Sequence, residues 1–204
     1  MTATLSLTEA AVATGLEIKA VNKAIDNKVV LATRKRVPKR MRQVRLVPVR
    51  ELICLQLEEE LSPWFPLKVR KKIIRQIAVK RLISEFRPSE SFAINISAVR
   101  QKLATGLRQL QLAKKMVVSD PDVLSGEPVI KGTRIPIRLI ADMIDEGVSL
   151  AEILEGYPRL TEEQVALSRL YVQAFPPRGR PPKKRPWHDE QPKMTTRIAL
   201  SDVA

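Results

Sequence analysis

A single cysteine in 204 residues excludes an internal disulfide. That residue, Cys54, lies in the apolar run "ELICLQLEEEL", where a small core side chain is expected. One thiol and one histidine, His188, cannot assemble a zinc site, so no metal or other cofactor is implied. No P-loop, GxGxxG or GxSxG motif occurs, and scattered carboxylates such as Asp120 and Asp122 sit in turn contexts, so an enzyme is not expected. Aromatic residues make up 4% of the chain, too few for the stacking surfaces of an RNA- or ribosome-associated protein. No apolar stretch approaches the ~18 residues of a membrane span. The opening "MTATLSLTEAAVATGL" lacks the basic start and apolar core of a signal peptide. A cytoplasmic protein with no membrane partner is the expectation. Glycine is sparse at seven, against fifteen prolines that lie mostly between apolar runs, a pattern of short modules with stiff connections.

What abounds is positive charge. The net charge of +14 points to a polyanionic partner. It is unevenly spread. Residues 1–116 hold 24 Lys/Arg against 9 Asp/Glu, residues 117–175 hold 5 against 10, and residues 176–204 hold 7 against 3. Polyanion binding is therefore expected in the first half or the tail, beside an acidic segment.

"LSLTEAAVATGLEIKAVNKAIDNKVV" opens on Ser6-Leu7-Thr8-Glu9, the S-x-x-E capping box of a helix start. The pattern predicts a short helix to about residue 13, a break at Thr14-Gly15, and a second helix over 17–27. Two short helices with glycine at the turn have the form of a helix-turn-helix. Ala11 is small where the helices approach, and Leu16, Val21 and Ile25 supply apolar contacts. Lys19, Asn22, Lys23 and Asp26 are left outward, and Lys and Asn can bond guanine and adenine in the major groove. An ordinary helical hairpin with a solvated face is the alternative. Two β-prone runs follow, over 29–33 and 43–47, and a helix over 48–61 closes the unit. Between the runs stand Arg34, Lys35, Arg36, Lys39, Arg40 and Arg42, the charge of a wing that straddles phosphates. In pattern, these first sixty or so residues resemble the small winged-helix domains of the MerR and excisionase type.

"SPWFPLKVRKKIIRQIAVKRLISEF" breaks at Pro63 and Pro66 and then reads as one amphipathic helix. Ile73, Ile74, Ile77 and Phe86 mark its apolar side; Lys68, Arg70, Lys71, Lys72, Arg75, Lys80 and Arg81 load the rest. A solvated basic face and a phosphate-binding face both fit. A membrane-surface helix would want interfacial aromatics that are missing. "SFAINI" reads as a strand, and "SAVRQKLATGLRQLQLAKKM" as a helix whose stripe of Val99, Leu103, Leu107 and Leu110 suits packing or dimerisation.

In the acidic segment Val117 and Val118 read as a short strand and residues 128–130 as another, with a turn at Lys131-Gly132-Thr133. Pro136 suits the first turn of a helix that stops at Gly147. Capping boxes at Ser149 and Thr161 open two more helices, and Ile137, Ile140, Ile144, Ile153, Leu154, Val165 and Leu170 are the predicted core. The run "SDPDVLSGEPVIKGTRIPIRLIADMIDEGVSLAEILEGYPRLTEEQVALSRLYVQAFPPRGRPP" has the order GxPVIxGTRIP, G-x-S/T-x-x-E-I and YP-x-LT. It closely resembles family 433 of the domains of unknown function. The resemblance implies a three-helical, homeodomain-like fold and the role of an antitoxin encoded beside a PIN-like ribonuclease toxin. At five acids in excess, the segment repels phosphate at long range, so DNA is assigned to the N-terminal unit. The arm carrying Val129, Ile130, Arg134 and Ile135 reads as a pairing device for a homodimer, because an exposed strand edge is a liability unless covered. Alternatively the arm folds onto its own helices.

The tail "PPRGRPPKKRPW" is too rich in proline for helix or sheet. Its Gly179-Arg180-Pro181 core resembles an AT-hook for the minor groove. Following an antitoxin-like domain, Arg178 or Arg180 could instead enter the carboxylate cluster of a nuclease toxin and displace its metal, with Tyr171 and Phe175 as neighbouring contacts. A solvated tail is the third reading. The expected class is mainly α, in four parts. These are a winged helix-turn-helix over 1–61, a basic helical connector over 62–116, a three-helix unit with a short β arm over 117–175, and the tail over 176–204. The expected role is an antitoxin that silences a PIN-like toxin and represses its own operator; a stand-alone regulator with an AT-hook-like tail is the alternative.

Overall fold

The structure, a computed structural model, describes residues 3–36, 43–80, 83–90 and 92–176. It is mainly α. The capping box at Ser6 forms as expected: the Glu9 N–H donates to Ser6 Oγ (3.2 Å) and the Ser6 N–H to Glu9 Oε2 (2.7 Å). It starts α1 (Leu7–Thr14), which ends at Gly15 with φ 69°, a left-handed conformation that suits glycine. The second helix, α2, spans Ile18–Asp26. Residues 29–32, expected to open a strand, do not. Lys28 turns the chain in the left-handed region (φ 55°), the Val29 N–H returns to the Ala24 carbonyl, and Val30 is buried as a plug beneath α2.

Three short strands make one antiparallel sheet in the order β1-β3-β2: β1 (Thr4–Ser6), β2 (Thr33–Arg36) and β3 (Gln43–Pro48). A 3-10 turn then leads into α3 (Leu52–Leu61), which is buried around most of its circumference, at Leu52, Leu55 and Leu57 among others. Cys54 is buried there too, and burial pushes its thiol up to about 12. Gln56 donates its side-chain amide to the Thr14 carbonyl, so α3 completes the C-terminal end of α1.

The basic helix, α4 (Leu67–Val79), is shorter than expected. Phe86 does not lie on it but on β4 (Glu85–Ser89), which pairs with β5 (Phe92–Asn95). Then α5 (Ile96–Lys115) runs for 20 residues. Its stripe of Val99, Leu103, Leu107 and Leu110 is taken up inside this chain, against α1, α3 and the last helix, rather than left as a dimer face.

Beyond it, β6 (Val117–Val118) pairs with β7 (Val129–Ile130). The helices α6 (Ile137–Asp145), α7 (Leu150–Gly156) and α8 (Glu162–Ala174) follow. Both later capping boxes are present, at Ser149 and Thr161. Pro136 stands at the N-cap of α6, with ψ 130°, one place before the first turn.

Two cores result. The larger runs from Leu5 to Leu110 and includes Leu61, Ile74 and Ile96, so residues 62–116 are part of the N-terminal body and not a connector. The smaller holds Ile130, Ile137, Ile140, Ile153, Leu160 and Val165. Helix α8 serves both. Val165 lies in the smaller core, while Ala174 lies in the larger with Leu170 and Phe175 packed against it. Leu170, assigned from the sequence to the three-helix core, therefore faces the other way. No helix among the described residues is long and apolar enough to cross a membrane.

Candidate nucleic-acid interface

Helix α2 buries Val21 and Ala24 and turns Lys19 and Lys23 to solvent. Asn22 is half-buried and donates its amide to the Ile18 carbonyl one turn back (3.1 Å), a bond it must release to read a base. Asp26 is not a free outward group. It pairs with Arg45 on β3 at 2.7 Å and so ties α2 to the β2–β3 hairpin. Arg45 was not among the expected site residues. Period-two alternation puts it on the same side of β3 as the buried Val47, the side that meets the helices.

On the hairpin Arg34 stands directly opposite Arg45, and Lys35 opposite Val44. Like charges facing across a ladder are destabilising. Asp26 relieves Arg45; Arg34 and Lys35 are exposed and have no ion-pair partner among the described residues. Arg36 ends β2. Lys39, Arg40 and Arg42 lie outside the described residues, as do Arg178 and Arg180.

Helix α8 lies behind this unit, docked on α1. Thr8 Oγ1 donates to the Ala174 carbonyl at 2.7 Å. Lys114 on α5 reaches Glu9 at 2.6 Å and stands 5.4 Å from the Phe175 ring centroid. The rings of Tyr171 and Phe175 are 4.8 Å apart. Both are half-buried, so these candidate toxin contacts already hold α8 in place. Burial pushes the Tyr171 phenol upward, against the pull of Arg138.

Between the α1–α2 turn and α8 runs a groove of about 780 Å³. Val12, Leu16, Ile18 and Leu170 give it an apolar floor, and Lys19 and Arg169 line it as well. Arg169 is held by Asp145 on α6 at 2.8 Å. Lys19 thus belongs both to the exposed face of α2 and to a groove walled by α8. No signal in the sequence pointed to this groove, because it joins residues about 150 positions apart. Among the described residues no group of three His, Cys, Asp or Glu side chains could hold a metal ion.

Glu9 links capping and docking. Burial raises its pKa, but the bonds from Lys114 and Ser6 outweigh that and leave it below the ordinary 4.5. A lowered carboxylate contributes stability that is fully present above its unfolded value and is lost as pH falls through its folded value. Glu9→Gln is therefore expected to lower stability at pH 7 by on the order of 1 kcal/mol, read as a lower urea midpoint. Urea melts from pH 7 to pH 3 should show the gap to the unaltered protein closing only below about pH 4.5. A gap that stays constant to pH 3 contradicts this role.

The arm of the three-helix unit does not offer a free edge of apolar side chains. Val129 and Ile130 are buried, β7 pairs with β6, the Ile130 N–H donates to the Ile135 carbonyl, and the Ile137 N–H donates to the Pro128 carbonyl. Of the expected pairing residues, Ile135 is half-buried and Arg134 alone is exposed. The arm folds onto its own helices.

A second basic surface lies on α4. Its 13 residues hold five Lys/Arg and no Asp or Glu. Arg70 turns inward; Lys68, Lys72 and Arg75 are exposed and Lys71 is half-buried. These four fall at i, i+3, i+4 and i+7, where each adjacent like-charge pair costs about 0.2–0.5 kcal/mol.

A family model described as "Protein of unknown function (DUF433)" matches residues 117–171. The protein described as "Uncharacterized protein y4eO", from Sinorhizobium fredii (strain NBRC 101917 / NGR234), is 35% identical over 91 residues, which are 45% of this chain and 41% of that protein. The match thus spans well under half of that relative's length. Among solved structures, the X-ray crystal structure of Rv2018 from Mycobacterium tuberculosis shares 12% identity over 80% of this chain and 95% of its own. Its TM-score of 0.32 is too slight a likeness to carry an argument.

Proposed function

We propose, from the match of residues 117–171 to the DUF433 family model, that the chain is the antitoxin of a type II toxin–antitoxin pair. In this reading the N-terminal unit is a winged helix-turn-helix that binds operator DNA, and the C-terminal helices and tail engage a PIN-like ribonuclease. Lys19, Asn22 and Lys23 meet the major groove, and Arg34 and Lys35 meet phosphates. The observation that carries the DNA-binding half is the Asp26–Arg45 ion pair, which bridges the cationic face of α2 and the basic hairpin; the antitoxin half rests on the match of residues 117–171. The docking of α8 on α1 supplies a route for autoregulation: a toxin bound at α8 presses on the groove that Lys19 shares.

The test is co-expression with the neighbouring gene, followed by pull-down, growth and operator gel shifts. Growth arrest by the neighbour, relieved by this chain in a stable complex, is expected. Lys19→Ala with Lys23→Ala should weaken operator binding at least tenfold, since good base contacts are worth about 1–3 kcal/mol each. The same variant should leave the toxin complex intact. A chain that binds an operator but neither binds nor relieves its neighbour is instead a stand-alone regulator.

A further inference from the structure

We propose that the exposed face of α4 is a second DNA-contact surface, binding the phosphodiester backbone of duplex DNA whatever its sequence. It lies outside the α2–hairpin unit and does not depend on an operator or a toxin. Lys68, Lys71, Lys72 and Arg75 form one stripe, and among the described residues none of them has an ion-pair partner. Their stacking opposes the helix that carries them. Lys68 sits in the first turn, where the helix dipole favours anions, and Pro66 supplies no side-chain cap. A local rule broken this consistently marks a functional surface, and a polyanion laid along the stripe removes the conflict.

The same helix argues against a lipid surface. Membrane binding requires a broad free apolar face, and Ile73, Ile74 and Ile77 are already buried in the larger core, leaving Val69 and Val79 as the only large apolar side chains exposed on the helix, with Trp64 before it. A shallow depression of about 460 Å³ between Lys68, Lys71, Lys72 and Arg75 gives the backbone a seat. At 1.5 Å per residue the stripe is about 10 Å long. Laid along the duplex axis, that length covers about three phosphates of one strand, at about 3.4 Å of axial rise each.

The experiment is fluorescence anisotropy of the full chain on a labelled 30-base-pair duplex of scrambled sequence, between 50 and 200 mM salt. Lys68→Ala, Lys71→Ala, Lys72→Ala and Arg75→Ala are made together and checked for fold by circular dichroism. The slope of log affinity against log salt is expected to become shallower by about three, at roughly 0.9 per phosphate. Affinity at 50 mM salt should fall at least tenfold. An unchanged slope in a folded variant overturns the proposal. So does a loss confined to a single-stranded 30-mer or to phosphatidylglycerol vesicles. If the fourfold variant does not fold, Lys72→Gln with Arg75→Gln is used, with a slope change of about two expected and no change overturning the proposal. Lys19→Ala with Lys23→Ala runs alongside on the same duplex and on the operator. Loss of scrambled-duplex binding in that variant alone tells against α4, and loss of operator binding in the α4 variant alone tells against the assignment to α2.

Discussion

Gly106→Ala is expected to destabilise the protein by more than about 2 kcal/mol, although alanine in a helix normally gains about 1 kcal/mol over glycine. Gly106 lies inside α5 where α1 crosses it, and a Cβ there would overlap the backbone carbonyl oxygen of Ala13. A side-chain tip could rotate aside; a helix backbone cannot, so the two helices must separate. Separation loosens the Lys114–Glu9 pair and the seat of α8 together. Gly156, at the end of α7, is the control. A Cβ there meets nothing within 4 Å, so Gly156→Ala should be neutral or slightly stabilising. Urea denaturation of both variants checks the pair, and Gly106→Ala at or above the stability of the parent contradicts this packing.

The second large effect is expected at the Glu58–Arg70 pair. The guanidinium donates to both carboxylate oxygens, at 3.0 and 2.7 Å, and to the Phe65 carbonyl. The two side chains are only 13% and 11% exposed. Arg70→Ala leaves Glu58 charged and unpaired beside the core, at a cost of about 2–4 kcal/mol. Replacing both by leucine removes the buried charge as well, and should cost less than Arg70→Ala alone. Thermal melts of the single and double variants separate the cases. A double variant worse than the single shows that the pair contributes more than avoiding an orphaned charge.

What could be read directly from residues was local. Capping boxes act over three residues, so Ser6, Ser149 and Thr161 predicted helix starts that formed. The outward placement of Lys19 and Lys23 followed from helical period. Features set by distant partners were not legible. Strand β1 has three residues, and its ladder is completed only by β3 some forty positions away. Phe86 continued an apolar period past the end of α4, but the chain pairs it with Ile94 in a hairpin. Leu170 matched the spacing of one core while its helix served two; periodicity counts apolar residues and does not say which neighbour each one meets. The Asp26–Arg45 tie has the same cause, since nothing along the chain announces a contact between a helix end and the second strand of a hairpin.

The sharing of α8 between two cores has a consequence for how the chain is made. A ribosome adds about 5–20 residues per second, so about sixty further residues separate the emergence of Leu110 from that of Ala174 by several seconds. Through that interval the nascent N-terminal body carries an unfilled apolar seat between α1 and α5. The body takes its final form only when α8 has been released from the exit tunnel. Chains stalled before residue 162 lack this helix altogether, so their exposed seat is what a chaperone or a protease would meet.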